Sequence, residues 1–135
     1  LLFANAGHCN PIHYRAKTRD FYMLPTTGSM LGISPDQRFR IENINMAPGD
    51  ILLLYTDGII EAQNKHGKLF GESRLKSILR KMHTKTPREI GYHCIEEAQK
   101  FSAGAEDRYT DDKTLVVIKR MPPGSDKHIG TGISE

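Results

Sequence analysis

Pro48-Gly49-Asp50-Ile51-Leu52-Leu53-Leu54-Tyr55-Thr56-Asp57-Gly58 decides how this chain is read. Pro-Gly-Asp is a turn signal, because proline presets φ while glycine and aspartate favour tight reversals. Ile51 to Tyr55 then run apolar without interruption, which predicts a strand with both faces buried. Such a strand belongs at the centre of a sheet, or in one layer of a two-sheet core. Asp57 falls where that strand meets solvent. Gly58 lets the backbone turn tightly beside the acid, or approach a ligand closely.

A second acid has the same setting. Asp111-Asp112-Lys113-Thr114 stands just before the apolar run Leu115-Val116-Val117-Ile118. Two carboxylates at strand ends can share a hard divalent metal, and such a metal can activate a water. Asp111 and Asp112 are adjacent, with Glu106 and Asp107 close by, so they repel unless a cation or a donor offsets them. Each acid also has a plain structural reading. Asp-Gly is a common turn pair, and Asp111 with Thr114 can cap a turn in a solvated loop. Two protein oxygens are few even for a water-rich magnesium or manganese site. A third acid is expected from sequence upstream of Leu1, since the chain opens on Leu in mid-pattern and reads as a piece of a longer protein.

Outward from the central stretch, Leu1 to Ala6 reads as a strand and Gly7-His8-Cys9-Asn10-Pro11 as a turn. Ile12 to Ala16 reads as a returning strand, Lys17 to Asp20 as a turn and Phe21 to Leu24 as a short strand. Gly28 to Pro35 is a glycine-containing loop. Arg38 to Ile44 alternates imperfectly, as an edge strand does. Asn64 to Gly67 is a polar connection. Leu75, Ile78, Leu79 and Met82 recur at helical spacing. Thr86-Pro87-Arg88-Glu89 has the form of a helix start, with Thr86 as N-cap, Pro87 at the first position and Glu89 closing a capping box. Ile90, Cys94, Ala98 and Phe101 give that second helix one apolar face, and Gly104 ends it. Ala105 to Asp112 is a polar loop and Leu115 to Lys119 the last strand. Strands, two consecutive helices and a final strand indicate an α+β or layered αββα arrangement rather than a nucleotide-binding βαβ unit. Neither a Gly-x-Gly-x-x-Gly nor a phosphate-binding Gly-Lys-Ser/Thr segment occurs.

Length and composition set bounds. At 135 residues the chain is one domain's worth, and 38% apolar residues suffice for a core. A net charge of +3 permits an acidic or phosphorylated partner without arguing for nucleic acid. Arg74, Lys76, Arg80, Lys81, Lys85 and Arg88 form a basic stretch, read as a solvated helix face, with an acidic partner or nucleic acid as the alternatives. The six histidines are scattered, and none forms a His-x-x-x-His pair. His8 reads as a turn residue. Glu61 reads as exposed, with a supporting role beside Asp57 as the alternative. Cys9 and Cys94 are the only cysteines and lack metal-site spacing, which favours a reducing, cytoplasmic setting. Cys94 falls on the apolar helix face and reads as core. No apolar run is long enough to span a membrane, so no membrane contact is expected of this segment.

Four segments in order resemble the PP2C-like (PPM) serine/threonine phosphatases of the bacterial SpoIIE/RsbU type. Asn5-Ala6-Gly7-His8-Cys9-Asn10-Pro11 is similar to that family's Ala-Gly-His-x-x-Pro segment. Gly28-Ser29-Met30-Leu31-Gly32-Ile33 is similar to its Gly-x-x-Leu-Gly loop. Gly49-Asp50, with Tyr55-Thr56-Asp57-Gly58-Ile59-Ile60-Glu61-Ala62, is similar to its Gly-Asp…Tyr-Thr-Asp-Gly-x-x-Glu-Ala segment, with Asn64 and Phe70-Gly71 following. Asp111-Asp112-Lys113-Thr114 is similar to its closing Asp-Asp-x-Thr.

The resemblance covers roughly residues 1–120 and implies the C-terminal part of a PP2C-like αββα sandwich lacking its N-terminal part. Residues 121–135 read as a disordered tail. It implies Asp57 and Asp111 as ligands of Mn2+ or Mg2+, with Asp112 the weaker candidate and the Gly7-His8 segment structural. It implies hydrolysis of phosphoserine or phosphothreonine on a regulatory protein such as an anti-sigma-factor antagonist, behind an upstream sensory domain. The family's upstream Asp-x-x-Gly-His-Gly-like segment, which supplies a metal-bridging aspartate, has no counterpart here. A catalytically inactive, phosphatase-like protein-binding module is the alternative.

Overall fold

A computed structural model describes residues 1–105 and 111–124. The expected polar loop before Asp111 and the expected tail fall largely outside the described residues. Strands β1 (Leu2–Phe3), β2 (Ile12–Arg15), β3 (Asp20–Met23), β4 (Glu42–Asn43) and β5 (Ile51–Tyr55) come first. Helices α1 (Asp57–Ile60), α2 (Glu72–Met82) and α3 (Pro87–Ser102) follow, and then β6 (Leu115–Lys119). Four strands form an antiparallel sheet in the order β3-β2-β5-β6, and β1 pairs with β4 in a separate two-stranded sheet.

The central position expected for Ile51–Tyr55 is what the structure has. Leu53 stands opposite Ile12 of β2 on one side and Val117 of β6 on the other. Alternation sends Ile51, Leu53 and Tyr55 into a core with Leu75, Leu79, Ile90, Cys94 and Ala98 of the helices. Leu52 packs on the other face with Leu24, Ile44 and Met46, and Leu54 joins them. The strand is therefore apolar throughout because a different layer covers each of its faces. This is the α+β layering that the sequence indicated.

The capping box of α3 forms as read. The Thr86 hydroxyl accepts from Glu89 N at 3.3 Å, and Glu89 Oε2 accepts from Thr86 N at 2.9 Å. Cys94 is fully buried, and burial pushes its thiol up to about 12. The edge strand expected over Arg38–Ile44 shrinks to Glu42–Asn43. Its partner β1 offers two residues only, and a strand extends no further than its ladder. The helix Asp57–Ile60 was not expected at all. The basic stretch is partly held on rings: Arg74 lies 4.2 Å from the Phe101 ring centre, Arg80 5.1 Å from Phe21, and Arg88 5.4 Å from Tyr92. No helix among the described residues is long and apolar enough to cross a membrane.

Candidate metal centre

The central strand delivers the chain to the site. Tyr55, its last residue, is buried, and its hydroxyl lies 3.1 Å from the Asn10 carbonyl oxygen and 3.1 Å from Glu72 Oε1. One hydroxyl proton faces two acceptors, so the Gly7–Pro11 turn and the first turn of α2 are gathered on one strand end. Burial first, and then the Glu72 charge, pushes this phenol well above its ordinary pKa.

The turn itself is held from inside. Asn5 Oδ1 accepts from His8 N at 2.8 Å, and Asn5 Nδ2 donates to the His8 carbonyl at 3.1 Å. His8 is exposed, and its Nδ1 lies 2.8 Å from the Cys9 carbonyl oxygen, so that nitrogen carries the proton. These bonds suit the turn role read from the sequence. Burial raises the Cys9 thiol, and the Asp57, Glu61 and Glu72 charges raise it further. A thiol held protonated in this way is a poor metal ligand.

Asp57 opens α1, and its side chain is exposed. Its Oδ1 accepts from the adjacent Gly58 N at 3.0 Å. Asp111 is also exposed, and its Oδ1 accepts from the adjacent Asp112 N at 2.7 Å. Among the described residues neither carboxylate has another hydrogen bond or ion pair. Each therefore keeps an oxygen for solvent or a cation.

The two stretches of backbone meet. Thr56 N donates to the Thr114 carbonyl at 3.0 Å. A Cβ placed on Gly58 would stand 2.4 Å from the Asp112 carbonyl oxygen and 3.2 Å from the Asp111 carbonyl carbon. Asp57 is thus flanked on both sides by contacts to the Asp111–Thr114 segment. Gly58 serves the close approach of another backbone segment, a use the sequence reading of a tight turn or an approach to a ligand did not include, and only a residue without Cβ fits there.

The donor chemistry fits a hard divalent ion. Exposed carboxylate oxygens on adjoining segments, open to water, suit magnesium or manganese, which keep several waters when few protein ligands are offered. Asp112 meets Gly58 through its backbone. Glu61 is exposed, as expected, and Asp107 and Glu106 lie outside the described residues. No group of three or more His, Cys, Asp or Glu side chains arranged for a metal occurs among the described residues.

Two features were missed from the sequence. His13 Nε2 lies 3.0 Å from Asp50 Oδ2, both side chains buried, which makes Asp50 a structural acid rather than a turn residue alone. Thr56 joins the two acid-bearing segments. The faint signal for that role was a threonine at the end of each strand, Thr56 and Thr114.

Comparison with known proteins gives a consistent result. The family model for Stage II sporulation protein E (SpoIIE) matches residues 1–121. Phosphoserine phosphatase RsbU of Bacillus subtilis is 29% identical over 120 residues, which is 87% of this chain and 34% of that protein. Protein IcfG of Synechocystis is 33% identical over 79 residues, 58% of this chain and 12% of its own length. The chain thus spans about a third or less of these relatives. Among solved structures, the SiaA-PP2C domain of Pseudomonas aeruginosa matches with a TM-score of 0.70 at 21% identity, covering 87% of this chain and 45% of that one. The PP2C phosphatase domain of SpoIIE from Bacillus subtilis matches with a TM-score of 0.66 at 23% identity, covering 87% and 33%.

Proposed function

The chain belongs to the SpoIIE family of PP2C-type phosphatases, and we propose that it is the C-terminal part, residues 1–120, of a domain that hydrolyses phosphoserine or phosphothreonine on a regulatory protein. In this reading Asp57 and Asp111 hold Mn2+ or Mg2+. The observation that carries it is the seating of Gly58 against the Asp111–Asp112 backbone, which sets the two acids on adjoining segments. A bound ion of this kind supplies Lewis acidity that activates water and offsets charge on the phosphoryl oxygens. Asp57 and Asp111 turn their unengaged oxygens to solvent, orient what they hold, and never touch phosphorus. Tyr55 and Asn5 fix the neighbouring turn. The regulatory protein of this reading is an anti-sigma-factor antagonist, met in the cytoplasm, with a sensory domain ahead of the phosphatase. The relative named a phosphoserine phosphatase supports that direction.

The test is manganese-dependent turnover of p-nitrophenyl phosphate by the full-length protein and by this chain, each with and without Asp57→Asn. Turnover should fall to background in the variant while the fold stays intact. Wild-type turnover in D57N would defeat the role of Asp57. A count of two carboxylates keeps a second reading in play, a phosphatase-like protein-binding module without turnover. That reading gains if the full-length wild type binds a phosphoprotein and never releases phosphate.

A further inference from the structure

Thr56 stands at the N-cap of α1, with extended backbone angles of φ −89° and ψ 160°. Threonine at that position ordinarily spends its hydroxyl oxygen on an N–H of the first helical turn. Here there is no side-chain cap bond. The hydroxyl oxygen instead accepts from Thr114 N at 3.1 Å, and the hydroxyl lies 3.0 Å from the Asp112 carbonyl oxygen, to which it donates. The backbone adds a third link from Thr56 N to the Thr114 carbonyl at 3.0 Å. One residue thus binds the segment carrying Asp111 at two successive points, directly beside Asp57. The short helix receives no side-chain bond from its N-cap while that is done.

We propose that Thr56 is a positioning residue whose hydroxyl sets how tightly the Asp57–Asp111 pair holds a divalent cation. This deepens the metal-site reading given above and rests on it. The physical reason is a difference in reach. The Asp111–Thr114 segment is exposed, and its acids make only local hydrogen bonds among the described residues. Free to drift, it would have to be ordered by the cation, and that ordering would be subtracted from affinity. The Thr56 hydroxyl orders it beforehand, as outer partners of metal ligands do. Thr56 has no place in the chemistry itself.

The experiment uses the full-length protein and Mn2+ alone, with free Mn2+ followed by electron paramagnetic resonance and amide exchange followed by NMR. Thr56→Val keeps the branched shape and removes the hydroxyl. It should raise the Mn2+ dissociation constant about tenfold, the low end for loss of an outer-shell partner. It should also speed exchange at the Thr114 amide, while the melting temperature moves by no more than about 3 °C. Thr56→Ser should restore both the affinity and the protection. Wild-type Mn2+ affinity in T56V, or a serine variant no better than valine, overturns the proposal. Asp57→Asn separates the two layers of the argument. If D57N loses Mn2+ and T56V does not, only the positioning role falls. If D57N binds as wild type, or the full-length wild type holds no Mn2+, the metal reading falls with it.

Discussion

The two ends of β5 carry one aspartate each, and the structure treats them in opposite ways. Asp50 is 2% exposed. Its Oδ2 accepts from Ala47 N at 2.8 Å and lies 3.0 Å from His13 Nε2, while its Oδ1 accepts from Ala16 N at 2.9 Å. Both oxygens are consumed by the protein, and the residue knots the turn before β5 to the end of β2. Asp57, five apolar residues and a threonine later, is exposed and among the described residues makes one local bond to its neighbour. A carboxylate whose oxygens are all satisfied inside the fold is an element of stability. One left facing water is available for chemistry, and the fold loses little if it changes.

The strongest break of this contrast would come at the buried end. Asp50→Ala leaves the buried His13 and two part-buried backbone N–H groups without their acceptor, and should cost about 3–5 kcal/mol of unfolding free energy in urea. A loss under about 1 kcal/mol would show that the buried end holds nothing.

Gly58→Ala is the next largest effect. Its Cβ would meet the Asp112 carbonyl oxygen at 2.4 Å, and backbone on both sides must move. A loss of about 2 kcal/mol is expected, in the range of overpacked sites, together with weakened Mn2+ binding. Unchanged stability and Mn2+ affinity would mean that the two segments do not touch in solution.

The cysteines sharpen the same contrast through pH. Cys94 has its thiol raised from 9.0 to about 12 by burial. The fold therefore keeps a proton that the unfolded chain has lost between those values. Its contribution is fully present below pH 9.0 and is lost as pH rises toward 12. Stability should fall by about 1.4 kcal/mol per pH unit from this group above its unfolded pKa. Cys94→Ala should flatten that slope in urea titrations at alkaline pH. Thiol reagent should label the half-buried Cys9 first, and an equal rate at Cys94 would break the assignment.

The smallest effect is at the exposed end. Asp57→Ala should change stability by no more than about 0.5 kcal/mol without metal, as for an exposed residue with one local bond among the described residues. A loss comparable to that of Asp50→Ala would make Asp57 a structural acid after all.

Much of the frame was legible because it is local. The two-faced run Ile51–Tyr55 has to be interior, since each of its faces needs a cover. Thr86-Pro87-Arg88-Glu89 carries its own cap, and that box formed as read. The layered α+β order follows from the succession of elements, and the four ordered segments pointed to the family whose model matches residues 1–121. Other parts were not legible because they depend on partners far along the chain. The Arg38–Ile44 pattern was limited by a two-residue neighbour that no alternation reveals. The short helix that Asp57 opens, and the seating of Gly58 against Asp112, 54 residues further along, left no local mark.

From residues alone came the strand that must be buried, the helix that caps itself, and two acids at strand ends with the chemistry of a hard cation. Which aspartate became part of the scaffold and which was left to solvent was settled only in three dimensions. Asp50 and Asp57 both neighbour a glycine and flank the same strand, so nothing local distinguishes them. What distinguishes them, among the described residues, is whether His13, Ala16 and Ala47 or a neighbouring amide alone stands within hydrogen-bond reach, and folding alone brings distant donors to a side chain.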